Sequence, residues 1–262
     1  MILSIIGFIA LIVSCIMQIV FIFMKSNKYD LFSHWLLLFA GIALIADIVY
    51  RSVLIEFIAL TNMYESLVFF SAVISIVLFT FRLRLKEQSP QIIIFTASVV
   101  TVILLAIASS PIVPSDIMPP VPALQSSWLV LHISVTFVGE SFFVIGFAAA
   151  VYYLLTKDDE KKKKIDSIMY RAIAIGYPIY TAGALIFGSI WAYYAWSRFW
   201  GWDPKEIFAL VTWLVYTIYL HSRFIKKLRG NVSAMIVIAG FLLTLFTFFG
   251  VNYLLSGLHS YK

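Results

Sequence analysis

Of the chain's 262 residues, 62% are hydrophobic and 12% charged, where soluble domains hold roughly 45–50% and 25%. With a mean hydropathy of +0.99, the apolar content exceeds what one aqueous core would hide, which excludes a soluble globular fold. The lone cysteine, Cys15, excludes a disulfide-built secreted domain, and the net charge of +6 sits in short stretches between apolar segments, a pattern of membrane orientation rather than of a nucleic-acid groove.

A helix needs about 20 mostly apolar residues to cross a bilayer. In chain order the sequence predicts eight: Ile2–Met24, Leu31–Leu54, Thr61–Phe81, Gln91–Ser109, Trp128–Leu155, Tyr170–Trp196, Ile207–Ile225 and Val232–Leu255. The first has no positive residue ahead of it and no small-residue cleavage site after it, so it is expected to stay in the membrane. The second holds Asp47 and Arg51, four apart on one face, which predicts an intrahelical ion pair. Glu65 in the third and Glu140 in the fifth have no evident partner in the sequence. Ionisable groups at such depth are costly and count as functional candidates by default.

Alternating the loops between two sides puts 15 of the 19 lysines and arginines together: Lys25, Lys28, Arg82, Arg84, Lys86, Lys157, Lys161–Lys164, Arg171, Arg223, Lys226, Lys227 and Arg229. The other side keeps Arg51, Arg198, Lys205 and Lys262. The positive-inside rule then makes both termini external. The expected fold is an all-α integral membrane protein, an eight-transmembrane-helix bundle forming a single transmembrane domain over 1–262. The lysine run at 157–164 reads as a solvated inner loop that sets topology.

Two external segments stand out. Residues 110–127 hold five prolines, with Asp116 as the only charge, and predict a partly stiffened irregular loop. Residues 191–206 hold Trp191, Trp196, Trp200 and Trp202 with Tyr193, Tyr194 and Phe199. An interfacial aromatic belt would spread such residues around both ends of a bundle; here they crowd one connection, which suits a platform for a large flat ligand. Gly201 allows a close backbone approach, Asp203 is placed to cap the next helix, and Pro204 fits its first turn.

The histidines narrow the ligand. His132, near the external start of the fifth span, and His259, beyond the external end of the eighth, share a side with the aromatic loop. Two imidazoles from different helices beside a flat aromatic surface are what a six-coordinate haem iron requires; a lone interfacial histidine would read as a polar anchor. His34 falls at an inner depth similar to that of His221, an interfacial anchor or, as the sharper alternative, a second inner ligand.

The run Trp200-Gly-Trp-Asp-Pro-Lys-Glu206, with Thr212-Trp213 and Tyr219-Leu-His-Ser-Arg223 after it, resembles the tryptophan-rich WWD pattern of haem-handling proteins of cytochrome c assembly, and within that superfamily the CcsA (ResC) family. Asn62–Leu67, Pro122–Trp128 leading to His132, and Val251–Tyr261 agree with it. The resemblance implies haem b as cargo at the external loop, with His132 and His259 as axial ligands and Trp196, Trp200, Trp202 and Asp203 around it. It also implies that His221 holds an inner haem together with a histidine of a CcsB (ResB) partner. The activity implied is delivery of haem to the Cys-x-x-Cys-His motif of an apocytochrome c for thioether attachment, as part of a membrane cytochrome c synthase of the System II type. The membrane implied is the bacterial inner or the thylakoid membrane. The residues themselves indicate positioning rather than acid–base catalysis, with Arg198 and Lys205 as candidate cations for haem propionates.

Two other classes were open on sequence. One is a HemX-type haem-binding protein of tetrapyrrole synthesis without ligation activity, against which the intact tryptophan run and both flanking histidines weigh. The other is an electron-transfer cytochrome b, which would place paired histidines on one helix; here His132, His221 and His259 lie on three. No G-x-x-x-x-G-K loop for nucleotide hydrolysis is present, and no nucleic-acid partner is expected.

Overall fold

The computed structural model describes residues 2–24, 30–85 and 91–255, and among them every regular element is a helix. The chain forms two compact units, Met1–Gln125 and Ser126–Lys262. Among the described residues, seven helices are long and apolar enough to cross a membrane, so the chain is an all-α membrane protein.

The first unit contains α1 (Ile2–Phe23), α2 (Leu31–Leu54), α3 (Met63–Leu85) and α4 (Gln91–Ala108). α1 packs on α2 and α4, and α3 completes the ring between α2 and α4. Asp30 starts α2 as its N-cap, accepting a hydrogen bond from the Ser33 amide at 3.2 Å. At one end of α2 lies a fully enclosed ionic cluster. Arg51 Nε stands 4.0 Å from Asp47 Oδ2 and its Nη1 3.8 Å from Glu65 Oε1. Its guanidinium lies over the Tyr64 ring at 4.4 Å and donates to the Ser115 carbonyl. The expected Asp47–Arg51 pair is present, and Glu65, without a visible partner in the sequence, shares the same cation. The Ser115 contact fastens the proline-rich loop to α2. His34 is enclosed, its ring stacked on Phe79 at 4.1 Å between centroids.

In the second unit, α5 (Ser127–Leu155) begins at the N-cap Ser126, whose hydroxyl accepts from the Trp128 amide. α6 (Asp159–Tyr180) continues through a π-helical stretch, Thr181–Phe187, into α7 (Gly188–Trp196). α8 (Pro204–Ser222) is followed by α9 (Asn231–Leu245), a second π-helical stretch, Phe246–Gly250, and α10 (Val251–Leu254). α5 packs on α6 and α9, α8 mainly on α9 and only lightly on α6. A two-pronged ion pair, Arg223 to Asp166 with both nitrogens 2.6 Å from carboxylate oxygens, ties the end of α8 to α6.

The lysine run differs from expectation. Lys161–Lys164 are helical, because Asp158 caps α6 by accepting from the Glu160 and Lys161 amides, and Asp159 and Glu160 complement the dipole in its first turn. The Lys161 amide, donating to the Asp158 carboxylate, holds that group below its ordinary pKa. The segment expected to be a solvated loop is thus the charged foot of a helix, with only Thr156–Asp158 outside regular structure.

Candidate functional site

The tryptophan run is built as a single capping device. α7 ends at Trp196 because Ser197 turns left-handed, with φ of 56°. The chain then crosses from α7 to α8 through residues 197–203 alone, a shorter link than the expected 191–206, whose two ends are helical. Glu206 Oε2 accepts from the Gly201 amide at 2.7 Å and from the Asp203 amide at 3.2 Å, while Asp203 Oδ2 accepts from the Lys205 amide at 3.1 Å. This is a capping box with proline in the first turn. A Cβ at Gly201 would lie 2.9 Å from Arg198 Nε, so a larger residue there would push that flexible side chain aside. Aspartate, proline and glutamate at these spacings therefore hold the backbone on which the tryptophans are displayed. Replacing Asp203 by alanine is expected to cost about 1 kcal/mol of stability, read as a lowered unfolding midpoint in detergent; an unchanged midpoint would contradict this account of the cap.

The aromatic rings divide into two groups. Trp202 is 69% exposed, with φ of 57°, and meets Trp200 edge-on at 5.9 Å. Phe199 stacks on Tyr193 at 4.6 Å, and Tyr194 on Trp128 of α5 at 6.4 Å. Deeper, Trp196 meets the buried Trp191 edge-on at 4.8 Å, and Trp191 lies parallel to the His132 ring at 6.1 Å. The Trp200 indole N–H is buried and has no hydrogen-bond partner among the described residues, a donor suited to a carboxylate brought in by a ligand.

His132 is held by the π-helical stretch. Its Nδ1 lies 2.9 Å from the Gly183 carbonyl. A carbonyl only accepts, so Nδ1 carries the proton and Nε2 keeps the lone pair with which imidazole binds iron. The approach requires glycine at 183 and is closely fitted at 188. A Cβ at Gly183 would sit 2.4 Å from the Thr136 backbone nitrogen, and one at Gly188 would sit 3.0 Å from His132 Nδ1. A π turn displaces backbone groups from the α-helical ladder and is frequent at functional sites. Sequence reasoning missed Gly183 and Gly188 as parts of the site; two glycines five apart inside an apolar span were the available signal.

His221 follows the same rule at the opposite end of α8. It is exposed, and its Nδ1 is 2.8 Å from the Thr217 carbonyl, one turn back, so its Nε2 also keeps the lone pair. His132 and His221 thus stand on α5 and α8, on separate supports. His259 lies outside the described residues.

The two candidate cations part company. Arg198 is exposed beside the tryptophans. Lys205 turns inward, with Nζ 3.3 Å from Asn252 Oδ1, and it acts electrostatically with Glu140, buried in the middle of α5. Of the two cations, Arg198 alone is exposed on the loop.

The sequence pattern of the cytochrome c assembly protein family matches residues 60–259, from the start of α3 onward. The chain is 32% identical over 277 residues to the cytochrome c biogenesis protein CcsA of Mesostigma viride, covering 92% of this chain and 89% of that protein. It is 32% identical over 234 residues to the CcsA of Guillardia theta, covering 77% and 76%. Against the CcsA of Chlamydomonas reinhardtii identity is 40% over 152 residues, 55% of this chain and 43% of that longer protein. With the tryptophan run, the capping box and His132 all inside the matched region, the chain belongs to the CcsA family of cytochrome c biogenesis proteins.

Proposed function

We propose that the chain presents haem b, as cargo, at an external WWD site for attachment to an apocytochrome c. His132 and His259 are the axial ligands, Trp196, Trp200 and Trp202 hold the macrocycle, Asp203 fixes the loop, and Arg198 faces the propionates. The observation that carries the reading is the His132–Gly183 contact, which sets an imidazole beside Trp191 in the tautomer that binds iron. The buried Trp200 N–H supports it as a donor in want of an acceptor.

Thioether formation adds each substrate S–H across a haem vinyl C=C, with no net oxidation. The chain's share is orientation, which is worth many kcal/mol when the reacting atoms are held close. The attachment step uses the two cysteines of the apocytochrome motif; this chain's Cys15 is buried in α1 and takes no part. His221, exposed and in the same tautomer, would bind an inner haem together with a CcsB/ResB-type partner, making the two subunits one cytochrome c synthase of the System II type. The haem-carrying loop would face the periplasm or thylakoid lumen.

In this reading α8 also crosses the membrane, giving eight spans with both termini external. It is less apolar than the other seven, and its burial pattern explains why that is tolerable. Thr212, Tyr216, Tyr219 and Ser222 face the interior, while Leu214 and Ile218 face outward.

The test is the dithionite-reduced visible spectrum of the purified protein co-expressed with its partner. Wild type should show a low-spin b-type haem. His132→Ala and His259→Ala should each lose most of it, roughly tenfold or more in occupancy, and regain it with added imidazole. Haem indifferent to both substitutions would overturn the ligand assignment.

A further inference from the structure

Lys205 belongs to the tryptophan run by sequence, yet its ammonium is turned away from the external surface. The capping box explains the start of that path. The first turn of α8 is fixed by Asp203 and Glu206, and Lys205, between them in that turn, carries the four-carbon stem that reaches the bundle interior. Asn252 receives it by hydrogen bond, and Glu140 attracts it through space. Asn252 is 2% exposed, and its Nδ2 donates to the Phe248 carbonyl one turn back, so its Oδ1 is presented to Lys205. Glu140, 6% exposed in the middle of α5, shares its surroundings with the buried Tyr180 and Tyr216. A lone carboxylate there, or a lone ammonium, would be expensive; together they are tolerable.

These three residues come from three different elements, and each element bears a part of the proposed haem site. Glu140 lies on the helix of His132. Lys205 lies in the first turn after the tryptophan loop. Asn252 lies on α10, seven residues before His259. We infer that Lys205 is a positioning residue, fastening the tryptophan loop to the helix leading to His259 through its hydrogen bond to Asn252, and drawing the helix of His132 towards both by charge attraction to Glu140, from beneath the site. The inference rests on the haem-presentation reading for its purpose, though not for its geometry. It assigns Lys205 no contact with haem.

Amide hydrogen exchange on the full-length detergent-purified protein, without added haem, tests the geometry. In Lys205→Met, exchange in residues 197–203 and 246–255 should rise about tenfold, the scale of one lost buried polar link, while residues 165–175 stay as in wild type. Glu140→Gln, nearly isosteric and so the safer variant for folding, should raise exchange at 197–203 in the same direction. The double variant should exceed the larger single effect by little, because both cut one link. Lys205→Arg should restore most of the protection. With haemin bound, Lys205→Met should keep its haem but show a mixed-spin spectrum, the mark of a loosened axial ligand.

Unchanged exchange in both single variants would overturn the inference. So would a rise spread evenly over the whole unit, or effects that multiply in the double variant. A wild-type protein that binds no haem would instead defeat the functional reading, leaving the exchange result to decide the fastening by itself.

Discussion

Replacing Arg51 by alanine should destabilise the N-terminal unit by about 3–5 kcal/mol, the largest stability effect expected of any single change in that unit. The side chain is 2% exposed and shared between Asp47 and Glu65, with the Tyr64 ring against it. Its removal leaves both carboxylates enclosed without their common cation, and the Ser115 carbonyl loses the donor that holds the proline-rich loop. The cost comes from stranding charge rather than from the worth of the pair itself. The combined change Arg51→Met, Asp47→Asn and Glu65→Gln should therefore recover most of the loss. Unfolding midpoints in a denaturing-detergent titration, followed by circular dichroism, would measure both. A single variant as stable as its parent, or a triple variant no better than the single one, would contradict the account.

Gly183→Val should strike the second unit in a different way. The added carbon would meet the Thr136 backbone nitrogen at 2.4 Å and its Cα at 2.8 Å, atoms that no rotamer change moves aside. Overpacking of this kind costs about 1–3 kcal/mol, and the value here should lie at the top of that range, since α5 and the π-helical stretch must separate. Separation also withdraws the carbonyl that orients His132. Haem should be lost and, unlike in His132→Ala, should not return with imidazole, because the cleft and not merely the ligand is altered. Gly188→Ala is the comparison. Its new carbon would meet only the His132 ring, at 3.0 Å, so the haem spectrum should shift while the unfolding midpoint holds. Equal imidazole rescue of Gly183→Val and His132→Ala would refute the distinction.

Much of this molecule was legible before its fold was known, for reasons that differ from element to element. Long apolar runs mark spanning helices because lipid accepts little else, and the helical boundaries fall within a few residues of those read from composition for seven of the eight segments. The sixth failed at its start. Asp158 and the acidic pair after it make Lys161–Lys164 helical, and a charge run judged by composition hides that local capping. Asp203 was legible as a cap since Asp-Pro has few other uses at the head of a helix. What stayed hidden was tertiary. Nothing local in the sequence tells Glu65 that Arg51 is its partner, or Glu140 that Lys205 is. The π-helical stretch was equally invisible, because one displaced hydrogen bond leaves hydropathy unchanged. His132 was found by its neighbours in the chain; the carbonyl that orients it, 51 residues away, was not.

The continuous rod from Asp159 to Trp196 has one more consequence. Its 38 residues, at about 1.5 Å each, reach roughly 57 Å, nearly twice the hydrocarbon thickness of about 30 Å. In the proposed orientation, taking the exposed Arg171 as one boundary of the hydrocarbon, about 20 residues would carry the rod to the other, near Trp191. The link at 197–203 would then stand at or above the headgroups, within reach of a polypeptide that never enters the lipid. Bilayer thickness becomes a control on access: lipids with longer acyl chains would draw the tryptophans down among the headgroups, and shorter ones would lift them clear.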